Sequence, residues 1–356
     1  MSAVENLKKG HIGLANLGNT CYLNSAIQAL RHVPDLSVFM NKHSDSWIHT
    51  KPGEKEAALC RAYKEVVVGL WSSTGPGYMQ PAKFLNYFRD SLKECPTYEH
   101  MVAPIQHDSG EALTFLLDQL HEGMKRPLNF NVVAEKGSPT YNALMAWKEQ
   151  VAPNYSPIVD YFFGLMEVSI TCKGCSNVRC RYEPFNMLKV GFPDAKAATL
   201  EECIDYEFQA EEIDEYQCDL CSPDVVKDSG QVKNKRPPGS VQRRIWRLPQ
   251  NLIIVLKRFN PNGTKCNADF KADSSQIFTK WFADKSPEGS KTSSYSVQSI
   301  IDHQGSHPNG GHYVAQVKSP LTGKWNIYDD EHVGQILDGS KANLGRQSYV
   351  LFYRKV

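Results

Sequence analysis

Apolar residues recur at helical spacing through the first third of the chain. Leu23, Ala26, Ile27 and Leu30 fall at i, i+3, i+4 and i+7, which predicts a helix that starts near Cys21 and is over by Pro34. Glu54 to Trp71 carries Leu59, Tyr63, Val66, Val67 and Leu70 at the same period. Leu113, Leu116, Leu117 and Leu120 mark another helix, opened by Asp108-Ser-Gly-Glu111 in the pattern of a capping box with an acidic cap. From about residue 160 the texture changes to short β-branched and aromatic segments: Gly164 to Thr171, Phe185 to Val190, Asn251 to Phe259, Tyr313 to Val317 and Ser348 to Tyr353. Lys227 to Ser240 is polar and rich in Lys, Pro and Gly, and reads as an exposed loop or hairpin tip. A helical part followed by a β-rich part, with no internal repeat, predicts an α+β chain rather than alternating βαβ units.

Composition narrows the class. The 356 residues are 41% hydrophobic, which is enough for a large core and against disorder. Formal net charge is +1, so nothing global selects nucleic acid or an anionic membrane as partner. The longest strongly apolar run, Leu252 to Leu256, is far too short to span a bilayer, and the N-terminal MSAVENLKKG lacks a signal-peptide core. These features predict an intracellular, reducing compartment, cytoplasmic or nuclear. Lys233-Asn-Lys-Arg236 is too short to be read as a nuclear signal. In such a compartment ten cysteines suggest metal ligands or a reactive thiol rather than disulfides.

The stretch GLANLGNTCYLNSAIQAL, from Gly13 to Leu30, places Cys21 directly behind two residues suited to an N-cap, Asn19 and Thr20. A helix start favours thiolate over thiol. Asn16, five residues earlier, offers a side-chain N–H to an oxyanion formed beside Cys21. A plain buried thiol in a capped helix accounts for this stretch equally well. The second half of the pattern comes from Asn309-Gly-Gly-His312-Tyr313, a glycine turn running into a strand that ends near Lys318. The turn-rich Ser319 to Lys324 leads into a second strand, Trp325 to Asp330. That hairpin makes His312 and Asp329-Asp330 cross-strand neighbours, and a carboxylate beside an imidazole fixes its tautomer.

Cys172-Lys-Gly-Cys175 and Cys218-Asp-Leu-Cys221 are two CxxC pairs. Each can wrap two thiolates onto one ion, and together they predict a closed, structural four-cysteine zinc site with its knuckles at the tips of separate hairpins. Thioredoxin-like redox chemistry fits less well, because neither pair opens a helix after a strand. Cys180 and Cys203 lie nearby without a CxxC partner.

Taken together, these segments resemble the ubiquitin-specific proteases. GLANLGNTCYLNSAIQAL is similar to the family's Cys box, Gln106 to Glu111 followed by ALTFLLDQL to its second box, and Gly310 to Tyr313 with Trp325 to Asp330 to its His box. Leu248 to Phe259 resembles the strand leading toward the channel for the ubiquitin tail, and the CxxC pairs resemble the zinc-bound fingers. The resemblance covers about Gly13 to Tyr353 in family order. It implies a papain-like cysteine protease hand within residues 11–356: a helical thumb over 11–125, a β-rich palm over 126–163 and 246–356, and β-fingers with a zinc ribbon over 164–245. It implies hydrolysis of the isopeptide bond after the Gly-Gly of ubiquitin, with Cys21 as nucleophile, His312 as general base, Asp329 orienting it, Asn16 as oxyanion donor and Asp330 assisting. Gln106, Asp108, Glu111, Phe259, Gly310 and Gly311 match positions that meet ubiquitin, with Asp108 and Glu111 facing its basic tail. Ubiquitin and ubiquitinated proteins are the implied partners, with room for an activating protein partner. Ser109 and Ala112 depart from the commoner Ala and Phe of the second box. A catalytically weak ubiquitin-binding module, or a protease for another ubiquitin-like modifier, would carry a similar pattern.

Overall fold

The structure is a computed structural model that describes residues 10–51, 53–73, 77–222, 225–227, 230–232, 236–291, 293–307, 310–336 and 342–356. Of the positions named above, 1–9, 228–229, 233–235 and Asn309 lie outside them.

Five helices build the thumb: α1 (Cys21–Arg31), α2 (Pro34–Lys42), α3 (Lys55–Ser72), α4 (Ala82–Leu92) and α5 (Ser109–Glu122). The apolar faces read from the sequence are the buried ones. Leu59, Tyr63, Val66, Val67 and Leu70 of α3 and Leu113, Leu116, Leu117 and Leu120 of α5 share one core with Leu23, Ala26, Ile27 and Leu30 of α1. Helix α1 differs from a surface helix in that all eleven of its residues are buried, polar ones included. Its polar stripe grips the incoming segment. Asn24 donates to Ala15 O, Gln28 to Ile12 O at 3.1 Å and Arg31 to Gly10 O at 2.8 Å. One donor per turn thus satisfies carbonyls that would otherwise be buried unpaired.

The fingers are a four-stranded sheet ordered Val178–Phe185, Gly164–Cys172, Gly239–Arg247, Glu211–Ile213. Strands Val225–Lys227 and Gly230–Val232 pair antiparallel in the segment that reads as a hairpin tip. The palm is an eight-stranded sheet. Its main path runs His332–Gln335, Trp325–Asp329, Gly310–Lys318, Ser294–His307, Ser348–Lys355, Asn251–Leu256, Met187–Val190, with Ser275–Ile277 added beside Ser294–His307. Asn251–Leu256 is buried at every residue and flanked on both sides, which is why it reads as a continuous apolar run.

The boundaries drawn from sequence shift in two places. Met187–Val190, within the range assigned to the fingers, pairs parallel with Asn251–Leu256 in the palm. Leu200, Cys203 and Ile204 of helix Leu200–Glu207 join the same palm core as Leu252 and Ile254. Conversely Ala143, within a segment assigned to the palm, packs with Leu165, Tyr182 and Trp246 at the base of the fingers. Long-range pairings decide both cases, and local periodicity does not encode them.

Candidate active site

Helix α1 begins at Cys21, and Thr20 stands at its N-cap position. The cap does not form as expected. Thr20 Oγ1 accepts from Leu17 N at 3.0 Å instead, tightening a loop in which Gly18 and Asn19 take φ of 91° and 54°. As a result the backbone N–H groups of Cys21 and Tyr22 have no protein acceptor among the described residues. These two donors of the first helical turn remain available beside the thiol.

Cys21 acts on His312, and His312 Nε2 donates to Asp329 Oδ1 at 2.6 Å. Because Nε2 serves the carboxylate, Nδ1 is left for the thiol. The Cys21 thiol is the largest influence on His312. With the Asp329 bond, and against the cost of burial, it holds the imidazole up at about 9. The hairpin that joins His312 to Asp329 is present, but its ladder ends with Ala315 opposite Tyr328. His312 and Asp329 therefore meet across a splayed end rather than as a directly opposed pair.

Asp330 occupies a different place from its neighbour. It sits at φ 47° in the two-residue turn between Asp329 and His332. Its carboxylate accepts from Asn24 Nδ2 on Oδ1 at 2.7 Å and from Asn16 Nδ2 on Oδ2 at 2.8 Å, and its carbonyl accepts from Leu14 N at 2.8 Å. Asn16 is held further by Thr20 N and Gly18 N donating to its Oδ1 and by its own N–H donating to Glu331 Oε1. One N–H of the Asn16 amide is thereby used, and the other has no acceptor among the described residues. Gly13 is obligatory here, since a Cβ would lie 2.4 Å from Glu331 O and 2.5 Å from Asp330 O.

Asp108 caps α5, accepting from Gly110 N at 2.6 Å and Glu111 N at 3.1 Å. The reciprocal half of the capping box is absent, because the Glu111 carboxylate takes His100 Nε2 at 2.9 Å. The full box forms elsewhere, between Thr199 and Glu202. Tyr349 OH donates to both Asp108 oxygens at 2.6 Å, yet burial outweighs these bonds and raises the Asp108 carboxyl above the usual range. Ser109, a departure from the family pattern, donates to Tyr22 O at 2.8 Å and so stitches α5 to the turn that carries Cys21. Gln106 Nε2 is buried without a partner among the described residues. Phe259 packs against His303 and Tyr349, with centroids at 5.1 and 4.9 Å. Gly310 faces open space, whereas a Cβ on Gly311 would meet Gln304 O at 2.2 Å and His303 Nε2 at 2.8 Å. His303 is fully buried and kept neutral, lowered to about 4 chiefly by burial and by Lys265.

The four CxxC cysteines converge. Cys172 Sγ lies 3.6 Å from Cys221 Sγ and Cys175 Sγ 3.6 Å from Cys218 Sγ, and all four sulfurs fall within 4.8 Å of one another. Four thiolates about 2.3 Å from one ion would sit at such mutual distances, so the cluster could hold a metal. Cys180 is exposed and Cys203 lies in the palm core, so neither belongs to it.

The sequence profile described as "Ubiquitin carboxyl-terminal hydrolase" matches residues 12–353. The chain belongs to the ubiquitin carboxyl-terminal hydrolase family. It is similar to the ubiquitin carboxyl-terminal hydrolase Usp2 of Drosophila melanogaster, 26% identical over 99% of this chain and 36% of that protein. Ubiquitin carboxyl-terminal hydrolase 4 of Saccharomyces cerevisiae is 28% identical over 97% of this chain and 39% of its own length. The chain thus spans well under half of these family relatives. Among solved structures, Ubp8 in the SAGA DUB module bound to ubiquitin aldehyde superposes with a TM-score of 0.70 at 23% identity, over 99% of this chain and 71% of that one. The likeness shows that the two chains share a fold.

Three residues of this family member's site escape a reading of the sequence: Asn24, Tyr349 and His303. Asn24 has a usable signal, a polar residue one turn after Cys21 and in line with Gln28 and Arg31 on a helix otherwise apolar. Tyr349 and His303 reach the site through sheet register, which leaves no local trace.

Proposed function

We propose that the chain is a deubiquitinating cysteine protease that hydrolyses the peptide or isopeptide bond after the C-terminal Gly-Gly of ubiquitin. The observation that carries the reading is Cys21 at a helix start beside unbonded backbone N–H groups, acting on a His312 that Asp329 orients through a 2.6 Å hydrogen bond. Cys21 attacks the glycine carbonyl as thiolate. The oxyanion is met by the Asn16 amide and the Cys21 backbone N–H. His312, oriented by Asp329, delivers its proton to the departing amine, which leaves a thioester. His312 then takes a proton from water as the water attacks that thioester, and Cys21 is regenerated. Asp330 assists by holding Asn16. Asp108, Glu111, Gln106, Phe259, Gly310 and Gly311 receive the ubiquitin tail.

Cys172, Cys175, Cys218 and Cys221 would hold one Zn2+ with no open position, so the ion would cross-link the fingers and take no part in the chemistry. Ubiquitin and ubiquitinated proteins are the partners this reading requires, and an activating protein partner is compatible with it. Ten free cysteines fit a reducing cytoplasmic or nuclear setting. No helix among the described residues is long and apolar enough to cross a membrane.

The test is incubation with ubiquitin bearing a C-terminal electrophile, read by intact mass. One adduct, mapped to Cys21 and absent from Cys21→Ala, is expected. An adduct on the Cys21→Ala variant, or none on the parent chain, would overturn the assignment.

A further inference from the structure

The catalytic groups are divided between two bodies. Cys21 stands on α1 in the thumb, whereas His312 and Asp329 stand on a hairpin at one side of the palm sheet. The approach of His312 to Cys21 across such a junction is kept only if something fixes the two bodies together near it. The Asp330 carboxylate is so placed. It follows Asp329 directly, and one of its oxygens accepts from Asn24, one helical turn beyond Cys21 on the same helix. The other oxygen accepts from Asn16. Asn24 is 3% exposed and also donates to Ala15 O at 3.2 Å, so its amide is fixed by the loop as well as by the turn. Asp330 holds its place with a left-handed backbone, at φ 47°. A non-glycine residue in that region is strained and is kept only where its surroundings hold it.

We propose that Asn24 is a positioning residue: by holding Asp330 it locks the His312–Asp329 hairpin onto the helix that carries Cys21 and aims the Asn16 amide. The idea rests on Cys21 as the nucleophile, and not on ubiquitin as the substrate. Asn24 sets the spacing of helix and hairpin, while the bond from Asn16 shares the same carboxylate, so loss of either loosens the other. Glu331 adds a second tie on the same turn through Asn16 N, at 2.7 Å. That tie holds the loop backbone and leaves the helix free, which makes Asn24 the link between α1 and the turn.

The experiment compares Asn24→Ala, Asp330→Asn and the double variant. Asp330→Asn conserves volume and replaces one acceptor oxygen by a donor, so it carries the test should Asn24→Ala fold poorly. Three readouts are taken: kcat and KM on ubiquitin with a C-terminal fluorogenic amide, melting temperature, and the pH dependence of Cys21 alkylation by iodoacetamide. Asn24→Ala should lower kcat by about 10–10²-fold, the loss expected of misplacement by up to about 1 Å, with KM nearly unchanged. The alkylation profile should move to lower pH on its alkaline side, because a loosened His312 releases its proton sooner. The double variant should be no worse than the poorer single one, as for two residues acting through one contact. Unchanged kcat and alkylation profile with only a lower melting temperature would overturn the proposal, as would strictly additive losses. If the parent chain ignores the ubiquitin substrate, the deubiquitinase reading fails, and the alkylation profiles still decide the role of Asn24.

Discussion

Adjacent glycines in the His312 turn should respond in opposite ways to a single methyl group. In Gly311→Ala the new Cβ would stand 2.2 Å from Gln304 O and 2.8 Å from His303 Nε2, where ordinary contact begins at 3.4 Å. Gln304 is the ladder partner of His312, so the obstacle is backbone and cannot swing aside. The φ of 145° adds strain for any L side chain, of order 1–3 kcal/mol. Overpacking costs about 1–3 kcal/mol more, and relaxation should leave roughly 2–4 kcal/mol in total. At about 2 °C per kcal/mol for a large domain, the melting temperature should fall by about 4–8 °C. The strand must move by close to the missing ångström, and His312 is the next residue, so kcat should fall about 10²-fold. Gly310→Ala meets nothing within 4 Å, so its melting temperature should stay within about 1 °C of the parent. Its cost should instead fall on KM for ubiquitin, if the tail passes over that open face. Thermal melting and kinetics on the fluorogenic ubiquitin substrate check both. A Gly311→Ala protein with parental melting temperature and kcat, or a Gly310→Ala protein as unstable as Gly311→Ala, would refute the reasoning.

The alkaline limb of kcat/KM should lie near pH 9, where His312 loses the proton that its bonds to Cys21 and Asp329 retain. Asp329→Asn should shift that limb to lower pH; a limb that stays in place would show that Asp329 does not support the imidazolium. Asp108→Asn should leave the melting temperature at pH 7 unchanged or slightly higher. Burial raises the folded carboxyl, so its contribution to stability is present only below the ordinary Asp range and is lost as pH rises, and the neutral amide keeps the cap. Affinity for ubiquitin should nonetheless fall and become less salt-dependent, measured by fluorescence polarisation at two ionic strengths. Metal analysis should find one zinc per chain, and Cys218→Ser should abolish it and lower the melting temperature, since structural zinc sites contribute about 10–16 kcal/mol to folding in small peptides. Cys180→Ser should leave the zinc in place.

Much of this architecture is legible in the residues because it is local. The apolar periods of α1, α3 and α5, the Asp108 cap and the two CxxC pairs each lie within one turn or one element, and the structure holds them where the spacing puts them. Contacts between distant segments are not legible. Met187–Val190 looks like any short apolar strand, and only its parallel pairing with Asn251–Leu256 assigns it to the palm. Thr20 has the right chemistry for a cap, but Leu17 N competes for its hydroxyl. Glu111 has the right spacing for a capping box, but His100, from a preceding turn, displaces the backbone as its partner. Asp329 and Asp330 can be ranked from sequence only by family position, because the split ladder beyond Ala315 decides which of them meets His312.

Helix α1 is walled in on every side, and the edge strand His332–Gln335 that ends the palm sheet is largely exposed. In mechanical terms the nucleophile is clamped to a stiff block, whereas Asp329, which orients its base, is paired with that edge strand through His332. Displacement of the edge reaches His312 through the Asp329 carboxylate. A molecule that pressed on His332–Gln335 would act on Asp329 without touching the thiol, whereas a comparable push on α1 would have to deform the whole core.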